Sequence, residues 1–194
     1  MFSGIIKHIG RVKKIYKRKT YCTIEILSNM KFSKKELGSS ISCSGTCLTL
    51  EKYQNKSTKF YISKETLNRT NFKYVNTGDL INMEKSLMYG DRISGHFVQG
   101  HVDTTGIIKS IDFIGKSWFI DFKLEKKYKK YLIEKGSITI NGVSLTISKI
   151  LNDGFQVVII PQTLKLTNLV HLKKKSVVNI EFDVLGKYIK SFLK

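Results

Sequence analysis

The strongest constraint on this chain is that it is written twice. Gly45-Thr46-Cys47-Leu48-Thr49 returns as Gly142-Val143-Ser144-Leu145-Thr146, 97 positions later (142 − 45), about half of the 194 residues. Thr66 meets Thr163, Thr70-Asn71 meets Thr167-Asn168, and Asn82-Met83-Glu84 meets Asn179-Ile180-Glu181 at the same shift. Gly4 and Gly10 meet Gly100 and Gly106 after one residue of slippage. A repeat this long makes two copies of one supersecondary unit, not one large core. A small polar side chain after a glycine bend, Cys47 in one copy and Ser144 in the other, suits a duplicated ligand pocket. It also suits a duplicated structural turn.

The pattern within each copy is that of strands. Residues 3 to 16, Tyr21 to Leu27, the two short runs around Gly45, Lys59 to Ser63 and Asp79 to Lys85 are rich in β-formers or alternate apolar with polar. The Lys59 strand is expected to end at Glu65-Thr66-Leu67, followed by a polar loop or short helix to Gly78. Six short strands in under a hundred residues read as a small antiparallel barrel. The fold expected is all-β: two tandem six-stranded Greek-key-like barrels, residues 1–96 and 97–184, joined through Tyr89 to Gly95. In the tail, 185–194, Leu185, Tyr188, Ile189, Phe192 and Leu193 form the apolar stripe of a short α-helix.

Composition excludes several classes. The formal charge of +19 raises a nucleic-acid partner. The lysines, however, are scattered, and the only arginines are Arg11, Arg18, Arg69 and Arg92. Base readout and phosphate clamping favour arginine, and no strand interleaves aromatic with basic residues. No nucleic acid and no membrane partner is expected, since no stretch is apolar and long enough to span a bilayer. Cys22, Cys43 and Cys47 are odd in number and lack the companions of a zinc site, which points to reduced thiols in the cytoplasm.

Several motifs together are familiar. Met1-Phe2-Ser3-Gly4-Ile5-Ile6 resembles the N-terminal signature of riboflavin synthases, and Ser94-Gly95-His96-Phe97-Val98-Gln99-Gly100-His101-Val102 resembles the start of their second lumazine-binding repeat. Gly45 to Thr49, Lys64 to Leu67, Asn141 to Thr146 and Ile160 to Leu164 match the remaining motifs, in order and in both halves. The resemblance implies dismutation of two molecules of 6,7-dimethyl-8-ribityllumazine. One gives a four-carbon unit to the other, forming riboflavin and 5-amino-6-ribitylaminouracil, the last step of riboflavin biosynthesis. It implies no metal and no organic cofactor. It also implies a homotrimer joined by its C-terminal helices, with each site shared between barrels of two subunits. Lumazine synthase is a candidate partner.

Carried over by position, the N-terminal pocket would use Gly4, Ile5, Ile6, Cys47, Leu48, Thr49, Tyr61, Ile62, Ser63, Lys64, Glu65 and Thr66. The C-terminal pocket would use Gly100, His101, Val102, Lys135, Ser144, Leu145, Thr146, Val158, Ile159, Ile160, Pro161, Gln162 and Thr163. Phe2 would cover the site at the junction. A lumazine C7 methyl must lose a proton, and His101 suits that transfer by residue type. Ser144, Thr146 and Cys47 suit nucleophilic or water-mediated addition at C7 of the other ring. His8, His96 and His171 are expected to be surface or packing residues. Thr46 and Gln162 depart from the cysteine and glutamate common in the family; neither position bears on proton transfer. The competing function is a lumazine-binding antenna protein, which has the barrels without the catalysis.

Overall fold

Alternation builds the wall of each barrel. In Tyr21–Leu27 (β2) the buried residues are Cys22, Ile24 and Ile26, and in Ser57–Ser63 (β5) they are Thr58, Phe60 and Ile62. The two strands pair antiparallel with Ile24 opposite Phe60, so the apolar sets share one face. His8–Lys17 (β1), Ser40–Cys43 (β3), Thr46–Gln54 (β4) and Leu80–Lys85 (β6) complete the set. The computed structural model, which describes residues 1–193, closes them in the order β1-β2-β5-β4-β3-β6.

The second half repeats this with Thr104–Ile114 (β7), Ser117–Lys123 (β8), Ser137–Ile140 (β9), Val143–Leu151 (β10), Gly154–Ile159 (β11) and Val177–Phe182 (β12). Read round from β7, its order is the same: β7-β8-β11-β10-β9-β12. Even the irregularities are duplicated. Register slips fall between Val12 and Lys14 and between Leu50 and Lys52. Their counterparts lie between Ile108 and Ser110 and between Ile147 and Lys149. Such bulges sharpen strand curvature where a small barrel must close.

One expected boundary is corrected. The strand after Lys59 stops at Ser63, and Lys64–Arg69 is a helical turn and a half (α1) rather than the end of a strand. Ser63 caps it by accepting a hydrogen bond from the Thr66 amide at 3.2 Å. Pro161–Leu166 (α2) is the counterpart, with proline at its first position. Val184–Phe192 (α3) follows β12 and is capped by Asp183. Lys194, the last residue of the expected tail helix, lies outside the described residues.

Each barrel has its own apolar core, around Phe60 and Phe72 in the first and Phe122 and Phe155 in the second. The barrels meet through buried asparagines in matched pairs. The Asn82 side chain donates to the Asn141 carbonyl at 2.8 Å and to Asn168 Oδ1 at 2.9 Å, and its own oxygen accepts from the Asn168 amide at 2.7 Å. Asn179 mirrors it, donating to the Ser44 carbonyl at 2.8 Å and accepting from the Asn71 amide at 2.7 Å. Between these pairs the Gly45 and Gly142 turns touch. A Cβ on Gly45 would lie 2.7 Å from the Gly142 nitrogen, and one on Gly142 2.6 Å from the Gly45 nitrogen. Only glycine allows that approach at both positions.

Candidate active site

Each barrel is preceded by a short leader, residues 1–7 before the first and 97–103 before the second, and the leaders are exchanged. Ile6 packs in the core of the second barrel. The Gly4 carbonyl accepts from the Ser144 amide at 2.8 Å, and the Gly100 carbonyl accepts from the Cys47 amide at 2.8 Å. The leaders also pair with each other through Phe2 and Val98. This corrects the grouping expected from sequence. Gly4, Ile5 and Ile6 do not join Cys47; Gly4 lies against Ser144. Gly100, His101 and Val102 do not join Ser144; Gly100 lies against Cys47. Sequence proximity suggested that a leader serves its own barrel, whereas the duplication lets each serve the other.

Each resulting half-site has an outward-facing polar row. On β4, Leu48 turns into the core while Cys47 is half-buried and Thr49 exposed. On β10, Leu145 turns inward while Ser144 is half-buried and Thr146 exposed. Ile62 and Ile159 also belong to the cores, so only their main chains face the sites. Tyr61 stacks on Tyr21 at 5.4 Å on the outer surface, and Val158 occupies the corresponding place in the other repeat. Ser63 and Thr66 are half-buried at the start of α1, with Lys64 and Glu65 exposed beside them. Thr163 is half-buried on α2, with Ile160, Pro161 and Gln162 exposed at its start. His101 is exposed, one residue from the Gly100 carbonyl that meets Cys47. Phe2 is fully buried at the leader bridge, with its ring beside Gly100.

Lys135 is exposed at a backbone φ of +65°, where the first repeat has Gly38 at +84°. A side chain held in the left-handed region costs energy that glycine avoids.

A residue that sequence reasoning assigned no function sits at the centre of one half-site. His96 is 9% exposed; its Nδ1 lies 2.7 Å from Ser144 Oγ and its Nε2 3.1 Å from Thr139 Oγ1. Burial lowers its pKa, with the Asp183 carboxylate acting in the opposite direction. A neutral imidazole donates at one nitrogen and accepts at the other. One of the two hydroxyls therefore donates to His96: Ser144 where Nδ1 is the unprotonated nitrogen, Thr139 where Nε2 is. Cys43, beside the other half-site, is buried and its thiol is pushed far above its ordinary range. It therefore stays protonated, and Cys47 is the less buried sulfur of that pair.

Neither of two cavities in the chain holds these groups. One, of about 520 Å³, lies at the barrel junction beside Asn71, Asn141 and His171. The other, of about 560 Å³, is lined by Ile5, Lys85 and Arg92 among others. Cys47, Thr49, His101, Ser144 and Thr146 line neither. Among the described residues, no three of His, Cys, Asp and Glu come together as a metal-binding group.

The family model for the lumazine binding domain matches residues 3–86 and again 99–183. A riboflavin synthase of Actinobacillus pleuropneumoniae is 37% identical over 193 residues, covering 100% of this chain and 90% of that one. One of Bacillus subtilis is 34% identical over 193 residues, again covering 100% and 90%. The chain belongs to the riboflavin synthase family. A solved structure of LumP complexed with 6,7-dimethyl-8-(1'-D-ribityl)lumazine superposes with a TM-score of 0.81 at 26% identity, over 93% of this chain and 98% of that one. LumP complexed with riboflavin gives 0.82 at 26% identity, over 94% and 99%.

For a riboflavin synthase, three buried residues that sequence reasoning left without a role are Glu84, Glu181 and His96. Glu84 and Glu181 were visible as repeat matches, and His96 lay inside the Ser94 to Val102 motif. Their partners, Ser3, Gly4, Gln99, Gly100 and Ser144, were not readable from that position alone.

Proposed function

We propose that the chain catalyses the dismutation of two 6,7-dimethyl-8-ribityllumazine molecules to riboflavin and 5-amino-6-ribitylaminouracil. The observation that carries this is the pair of matched half-sites: two identical substrates call for two similar pockets. One holds Ser144, Thr146, Gly4 and His96; the other holds Cys47, Thr49, Gly100 and His101. The donor ring receives a nucleophile at C7 from Ser144, Cys47 or a water they position. The acceptor's C7 methyl loses a proton, for which the exposed imidazole of His101 is the candidate base. The anion delocalises into the ring, where main-chain N–H groups and threonine hydroxyls stabilise it. The acceptor's two methyl carbons bond to the two ring carbons of the donor, both donor C–N bonds break as their nitrogens take up the protons the methyls lost, and the added nucleophile leaves, so that four carbons pass to the acceptor and the diaminouracil is released. Holding the rings together supplies much of the acceleration.

Both half-sites face outward and lie outside the two cavities described above, which supports completion by another subunit. The α3 stripe supports a homotrimer: Leu185, Tyr188, Ile189, Phe192 and Leu193 are each 57–81% exposed in the single chain. Free thiols support a cytoplasmic location, and no helix among the described residues is long and apolar enough to cross a membrane. The reaction is tested by incubating purified protein with the lumazine. Riboflavin fluorescence with an equal yield of the diaminouracil supports the reading. Tight binding without product would instead place the chain with lumazine-binding proteins.

A further inference from the structure

Glu84 on β6 and Glu181 on β12 occupy matching places in the two repeats and are 5% and 2% exposed. Neither joins an ion pair among the described residues. A lone carboxylate inside a barrel wall is costly, and its lone pairs must be met by donors. Here the donors come from the leaders. Glu84 Oε1 accepts from the Ser3 amide and the Ser3 hydroxyl, both at 2.8 Å, and its Oε2 accepts from the Gly4 amide at 3.0 Å. Glu181 Oε1 accepts from the Gln99 amide at 2.7 Å, and its Oε2 from the Gly100 amide at 2.9 Å.

Two successive N–H groups on the two oxygens of one carboxylate fix the peptide plane between them as well as its distance. That plane precedes the glycine whose carbonyl reaches into the other barrel, Gly4 toward Ser144 and Gly100 toward Cys47. Both glycines sit at positive φ, +75° and +79°, and a Cβ there would lie 2.7 Å from the Ser144 or Cys47 Cβ. Each leader is thus gripped on one side by its own barrel and hooked on the other to the partner half-site. Burial pushes both carboxyl pKa values up, against the opposing pull of the amide donors.

We propose that Glu84 and Glu181 are positioning residues. Glu181 acts through Gly100 to place His101 over the Cys47 half-site, and Glu84 acts through Gly4 to place the Ser144 half-site. The inference rests on the functional reading given above. Glutamine in either place keeps the size but offers one acceptor oxygen and turns an NH₂ toward the second amide.

The test is a pair of crossed double-mutant cycles. Glu181→Gln should slow turnover by about tenfold to a hundredfold, the effect of a displacement near 1 Å. It should slow turnover by less than about twofold once His101→Gln is present, since the group it places is gone. Combined with Ser144→Ala, its effect should multiply in full. Glu84→Gln should behave in the reverse way. The fall in Tm should be the same in every background, and this separates positioning from general loosening. Equal factors on turnover in all backgrounds would overturn the proposal. If Glu181→Gln fails to fold, Glu181→Asp takes its place in the same cycle. If the unmodified chain makes no riboflavin, the catalytic reading fails by itself. The cycles are then read in lumazine dissociation constants, where non-additivity supports the positioning role and additivity sinks it.

Discussion

His96 and Ser144 form a partly buried hydrogen bond, 2.7 Å between Nδ1 and Oγ, inside one half-site and next to the exchanged leader. The contact gives the imidazole a task at the serine that exposed histidines in the chain lack. Replacing His96 with Gln should lower turnover by at least about tenfold while lumazine binding changes by less than about threefold. Stopped-flow turnover and fluorescence titration measure the two quantities. Parallel loss of both would reduce His96 to a packing residue.

The same histidine sets a pH dependence. Its pKa in the fold is lowered by burial, so the unfolded state binds the proton more readily. The stability this supplies is present above the ordinary histidine value of about 6.5 and is lost as pH falls through that value toward the folded one. Glu84 and Glu181 have raised pKa values, so their contribution has the opposite sign: it is present in acid and lost as pH rises through their folded values. The difference in Tm between the wild-type chain and His96→Gln isolates the histidine. The wild-type advantage should shrink below about pH 6.5; an advantage flat from pH 5 to 8 would contradict the assignment.

His101→Gln should slow turnover more than it weakens lumazine binding, because a proton-transfer role affects the transition state first. Turnover equal to that of the wild-type chain would leave His101 as a ring contact only.

Lys135 and Lys175 both hold left-handed backbone, φ +65° and +73°, where the first repeat has Gly38 and Gly78. Glycine at either place should relieve strain and change stability by about 1 kcal/mol or less, in the stabilising direction. Only Lys135→Gly should also weaken lumazine binding, because only Lys135 is carried over as a pocket residue. Equal affinity in the two variants would make Lys135 one more surface lysine.

Deleting Leu185 to Lys194 removes the exposed stripe of α3 and its tie to the second leader, the Lys187–Asp103 ion pair at 3.0 Å. A helix of this length does not persist alone in water. Sedimentation should show smaller species that still bind lumazine but make little riboflavin, and in the full chain activity should fall with dilution. A truncated monomer with full activity would rule out a site shared between subunits.

The barrels were legible because their signal is local. Alternation in Tyr21 to Leu27 and the recurrence of Gly45 in Gly142 need no knowledge of what lies across the molecule. The polar rows were equally legible, since Cys47, Thr49, Ser144 and Thr146 alternate with the core residues Leu48 and Leu145. The end of β5 was misread because Glu65-Thr66-Leu67 lacks a strong period of either kind, and the deciding contact is a cap from Ser63.

By itself, then, the sequence determined two like barrels, a tail stripe and the residue types available for carbon-acid chemistry. Period and repetition are properties of neighbouring positions, and burial of one strand face follows from them directly. Only the tertiary structure decided which leader serves which half-site, that His96 reaches Ser144, and that Glu84 and Glu181 grip the leaders. Those contacts span 48 to 140 positions of chain (His96 to Ser144; Gly4 to Ser144): side chain to side chain at His96, carboxylate to amide at Glu84 and Glu181, and main-chain carbonyl to amide where the leaders cross. Every residue carries the same amide and carbonyl, so nothing in the one-dimensional text marks which will meet. Closure of both barrels and contact of the Gly45 and Gly142 turns bring them within reach, and the cost of leaving a buried donor unmatched selects the partners.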